Sequence, residues 1–143
     1  MAELAVEVSA ALVQSLRETV LLLYRAALEA LHLAFGADDP ALEEVVPQRE
    51  RLRQLDALLD QLGWPELGEP GPGESDAPAP LRLAAPADVL ADALHGALID
   101  AGERLAVVCA ARWRGEAGPE SVRASAREVI ELDRLLREVQ TES

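Results

Sequence analysis

A ten-residue phrase occurs twice in this chain. Residues 53–62 read RQLDALLDQL and residues 130–139 read IELDRLLREV, sharing Leu-Asp-x-Leu-Leu at Leu55–Leu59 and Leu132–Leu136. The Leu-Asp pair recurs at a spacing of 77, whereas Arg25, Gly36 and Pro40 recur as Arg104, Gly115 and Pro119 at a spacing of 79. Each half therefore predicts a long helix, a glycine-containing turn and a second helix opened by proline. Two such hairpins, at 2–63 and 86–140, predict an all-α four-helix bundle in one domain. A Pro/Gly-rich flexible linker at 64–86 joins them.

Composition agrees with helix. Half of the 143 residues are apolar but only 3% are aromatic, and Ala, Leu, Glu and Arg outnumber the β-branched residues. Helix 1 is expected from Ala2 to Phe35. Its polar residues Glu3, Glu7, Gln14, Glu18, Arg25, Glu29 and His32 form one narrow stripe, interrupted by Leu21. The remaining circumference is apolar, which calls for neighbours on several sides.

Asp39-Pro40 opens helix 2, and Pro47 is expected to kink it or to split it into 40–46 and 47–62, with Gly63 as the stop. Residues 64–86 hold six of the nine prolines, a composition that cannot sustain a core of its own. Helix 3 runs from Pro86 to Arg114. Its small residues Gly102, Ala106 and Ala110 recur every fourth position, as in close helix packing. Helix 4 runs from Pro119 to Gln140, with Val122, Ala126, Val129, Leu132, Leu136 and Val139 as its buried stripe. No stretch reads as a strand, and Trp64 and Trp113 are expected to cap the bundle ends.

The formal charge of −13 argues against a nucleic-acid partner, because such a surface repels phosphate backbones. All 13 basic residues are arginine, so neither a lysine Schiff base nor a phosphate-loop lysine is possible. The single cysteine, Cys109, precludes an internal disulfide, and its apolar run VVCAA predicts a buried thiol. Charges interrupt every apolar stretch well short of the ~20 residues that span a bilayer. The N-terminal residues lack a basic signal-peptide region. Together these predict a cytoplasmic protein with no membrane partner.

One pair of spacings has the form of a metal site. Glu29-x-x-His32 and Asp92-x-x-His95 each put a carboxylate and a histidine on one helix face, the arrangement that ferritin-like bundles use for iron or manganese. Against it, all four residues fall on polar stripes, and the repeat aligns His32 with Ala111 rather than with His95. No nucleophile elbow, Cys–His pairing or phosphate loop is present. The residues therefore favour a non-enzymatic helical interaction protein without cofactor, a homo-oligomer or a binder of a partner helix. Leu12, Leu16, Val20, Leu21, Leu23 and Leu31 of helix 1 are its expected contact surface. The alternatives are a carboxylate/His metal bundle and a small-molecule-binding bundle with an apolar pocket near the small stripe of helix 3.

Overall fold

The structure, a computed structural model, describes residues 3–35, 42–63 and 81–142. It is mostly helical. In chain order the elements are β1 (Glu3–Val8), α1 (Ala10–Phe35), α2 (Leu42–Leu62), β2 (Leu81–Pro86), α3 (Ala87–Trp113) and α4 (Pro119–Glu142). Strand–helix–helix thus occurs twice. The helix α1 packs against α2, α3 packs against α4, and α1 crosses α3.

The two strands correct the expectation of helix and loop at these positions. They pair antiparallel, with Glu3 opposite Pro86, Val6 opposite Leu83 and Val8 opposite Leu81. In β1 the polar residues Glu3 and Glu7 lie four apart, a spacing that suits one helical face and one strand face equally. Six residues are too few to separate the two periods. Burial decides it: Val6 and Val8 are buried while Glu3, Ala5 and Glu7 are exposed, the alternation of a half-buried strand. In β2, Leu83 and Ala85 are buried likewise, so residues 81–86, expected as the end of the linker, belong to the fold. Residues 64–80, with Trp64, lie outside the described residues, as do Gly36, Asp39 and Pro40.

Three helix features follow from local chemistry. The strand passes into α1 at Ser9, whose carbonyl accepts from the Leu12 N–H at 3.0 Å. One helix runs through Pro47, where a kink or a split into two helices was expected. Pro47 sits in the second turn, so its missing N–H leaves a single carbonyl without an intrahelical partner. Gly63 stops α2 as expected, with φ at +88° and its N–H donating to the Leu59 carbonyl at 2.7 Å.

One register carries the interior. Leu12, Leu16 and Val20 of α1 are buried, and so are Val89, Ala93 and Ala97 of α3, each 77 residues later. The same spacing relates Leu55, Leu58, Leu59 and Leu62 of α2 to Leu132, Leu135, Leu136 and Val139 of α4. It also relates Val6 and Val8 to Leu83 and Ala85. All eighteen belong to one continuous core. In this register Arg104 corresponds to the buried Ala27 rather than to Arg25, so the spacing of 79 does not mark equivalent positions in the packed helices.

At two places equivalent residues meet each other. Val6 and Leu83 are opposite in the sheet, and Thr19 of α1 lies against Gly96 of α3. A residue touches its own equivalent only on a twofold axis, so a local axis runs through the sheet and through the α1–α3 crossing. At that crossing a Cβ on Gly96 would stand 2.7 Å from Thr19 Cγ2. Glycine at 96 is what allows the helices this close.

The small stripe of α3 does not serve packing. Ala106 and Ala110 are exposed, and a Cβ on Gly102 would meet nothing within 4 Å. Past the crossing with α1, the stripe is open to solvent at Ala106 and Ala110.

Candidate functional site

The expected contact surface on α1 divides in two. Leu12, Leu16 and Val20 are fully buried in the core, Leu21 and Leu23 are half-buried against it, and Leu31 is half-buried. Leu21 was expected in the open because it interrupts the polar stripe, but it packs against the core instead. The first half of this set therefore holds the chain together and presents nothing outward.

The apolar surface that α1 does present is distal. Its core-facing residues end at Ala27, and beyond it Leu28, Leu33 and Phe35 are 48%, 74% and 57% exposed. Leu28 and Leu33 line a shallow depression with Glu29 and His32. Leu22 is exposed on the near side of Ala27, and Val46 is exposed near the start of α2. The other hairpin shows the same habit at its far end, with Val107 and Trp113 exposed. Trp113, expected to cap the bundle, is 92% exposed and covers nothing. Cys109, expected buried, is exposed on the same stretch of α3.

The four candidate metal ligands are not brought together. Glu29 and His32 stand on the distal part of α1. Asp92 is held by Arg51 of α2, Oδ2 to Nη2 at 2.6 Å, and His95 is exposed. Among the described residues, no group of three His, Cys, Asp or Glu side chains is arranged to hold an ion. These residues do not fit a di-metal centre.

The polar side chains that do converge act as ties between elements. Arg104 of α3 reaches Asp100 and Glu128 at 3.3 Å each and donates to Ser15 Oγ of α1 at 3.0 Å. Arg17 donates twice to the carbonyl of Leu62, at 3.3 and 2.8 Å, closing the end of α2. Ser9 donates through its hydroxyl and its backbone N–H to the Glu131 carboxylate, at 3.0 and 3.4 Å, fastening the β1–α1 junction to α4. Among the described residues no buried side-chain polar atom lacks a partner, so no orphaned group marks a ligand position. On the surface, the hydrogen bond from Arg53 holds the Glu50 carboxyl below the usual range. That pair is solvent-exposed and contributes little to stability.

Sequence reasoning missed the two outer edges of the sheet. Gln61 of α2 pairs with β2 as a third strand would, its Nε2 donating to the Ala84 carbonyl at 2.8 Å and its Oε1 accepting from the Ala84 N–H at 2.7 Å. The matching groove beside β1 is lined by residues of β1 and α4, among them Ala5, Glu7, Glu131, Arg134 and Glu138. The available signal was the alternation in LAVEV and LRLAAP.

Among the described residues no helix is long and apolar enough to cross a membrane. Comparison with protein-family models, with curated proteins and with solved structures finds no match.

Proposed function

We propose that this chain is a non-enzymatic, acidic helical interaction module that associates with a second copy of itself through the distal part of α1. The observation that carries this reading is the exposure of Leu28, Leu33 and Phe35 beyond the point where the core-facing stripe of α1 ends. Apolar side chains of that size grouped at one end of a helix gain from a partner that removes them from water.

The internal architecture favours a partner of the same kind. Two strand–helix–helix units with equivalent buried positions read as a duplication, so that each unit completes its core against a copy of itself. A twofold contact between distal α1 helices would repeat that mode between molecules, in the closed symmetry that dimers favour. Charge sets the conditions: with −13 on each copy, association strengthens as salt screens the repulsion.

Sedimentation velocity across a concentration series tests this. Wild-type chain is expected to shift from monomer to dimer with rising concentration, more readily at high salt, and Leu33→Glu to stay monomeric. A wild-type chain that remains monomeric throughout and sediments as Leu33→Glu does would overturn the reading.

A further inference from the structure

The two outer edges of the sheet are equivalent in position and opposite in chemistry. Ala84 directs its N–H and C=O away from β1, because both are bonded to Gln61. In an antiparallel pair, residues directly opposite share this direction, and it recurs at every second residue. Ala5 stands opposite Ala84 and Glu7 opposite Arg82, so Ala5 and Glu7 direct their backbone groups outward from β1. In the register of the core, 77 residues separate Gln61 from Glu138 and Glu7 from Ala84. Where β2 is closed by a side-chain amide, the groove beside β1 holds a carboxylate.

A carboxylate cannot imitate that closure, because it accepts hydrogen bonds but has no N–H to donate to the strand carbonyl. Glu138 is moreover turned to Arg134, Oε1 to Nη1 at 3.2 Å. Exposed strand edges are templates for further pairing. The β1 edge also has a definite electrostatic character: Glu7, Glu131 and Glu138 line its groove against the single guanidinium of Arg134. Pairing of β1 with a second β1 about Ala5 would set Glu3 against Glu7, like charges directly opposite, which is destabilising.

We propose that the β1 edge is a docking site for an extended, basic segment of a partner protein, which adds to the sheet as a third strand. The backbone of that segment pairs with Ala5 and Glu7, and its arginine or lysine side chains meet Glu7, Glu131 and Glu138. This mode of recognition takes affinity from main-chain hydrogen bonds and selectivity from alternate side chains. The site lies on the sheet, apart from the distal α1 surface.

An acetylated, amidated hexapeptide of alternating arginine and valine serves as the probe against the full chain, followed by backbone amide chemical shifts and titration. The peptide is expected to shift the Ala5 and Glu7 amides and to bind more weakly as salt rises. The same peptide N-methylated at alternate residues, or carrying glutamate for arginine, is expected not to bind. Glu138→Gln supplies the amide that closes the other edge, while Glu138→Ala removes the same charge and leaves the edge open. Glu138→Gln is therefore expected to weaken binding about tenfold more than Glu138→Ala, a difference of about 1.4 kcal/mol. Absence of binding, equal binding of the N-methylated peptide, or equal effects of the two variants would overturn the proposal. Protection of the Ala5 and Glu7 amides at high protein concentration without peptide would overturn it too, by assigning the edge to a second copy.

Discussion

Thr19 and Gly96 occupy equivalent positions in the two halves of this chain and touch each other where α1 crosses α3. A Cβ on Gly96 would lie 2.7 Å from Thr19 Cγ2, closer than side chains approach without displacement. Thr19 is 8% exposed, so its side chain has little free space to move into.

Gly96→Ala is therefore expected to destabilise the fold by about 1–3 kcal/mol, the usual cost of overpacking. The gain in helix propensity, about 1 kcal/mol, acts in the opposite direction and does not outweigh it. Thr19→Ser removes the methyl group in the way, so the double variant should recover part of the loss. Urea denaturation of the four proteins in a double-mutant cycle measures this coupling, and additive effects would contradict the close crossing.

Gly102→Ala gives the opposite result with the same substitution. Nothing lies within 4 Å of the added methyl group, so only propensity acts. The variant should be more stable than wild type by about 1 kcal/mol. Denaturant midpoints compare it directly with Gly96→Ala.

The four helices were legible because the repeated Leu-Asp-x-Leu-Leu and the leucine spacings around it mark the buried faces of α2 and α4. Leu55, Leu59, Leu132 and Leu136 are all in the core. The strands were not legible, since Glu3 and Glu7 satisfy a helical and a strand period at once. The proline-rich surroundings of LRLAAP also read as linker. Distal helix faces misled for a different reason. VVCAA and the small stripe of α3 are apolar enough for an interior, yet they extend past the crossing with α1, and no residue within the chain reveals where its neighbour stops. The candidate ligands failed for the same cause: spacing along a helix fixes a face but not the height at which faces meet.

Backbone amide exchange should distinguish the two sheet edges. The Ala84 N–H donates to Gln61 Oε1 at 2.7 Å, whereas the amides of Ala5 and Glu7 point outward on the opposite edge. Ala84 is expected to exchange far more slowly than Ala5 or Glu7, and Gln61→Ala should abolish that protection while the helices stay protected. Equal exchange at the two edges in wild type would contradict the closure by Gln61.

Cys109 provides a check on the outer face of α3. Because its thiol is exposed, it should react with a disulfide reagent in the native protein within about tenfold of its rate in denaturant. Slow reaction that tracks global unfolding would place the thiol inside.

The two strand–helix–helix units share one interior, and native-state hydrogen exchange tests this most directly. If Leu12–Val20 of α1 and Val89–Ala97 of α3 pack around one axis, their slowest amides should open together, with the free energy and denaturant dependence of global unfolding. Two separate sets of opening energies, one for residues up to 63 and another for residues from 81 onward, would show that each half keeps its own core and would contradict it.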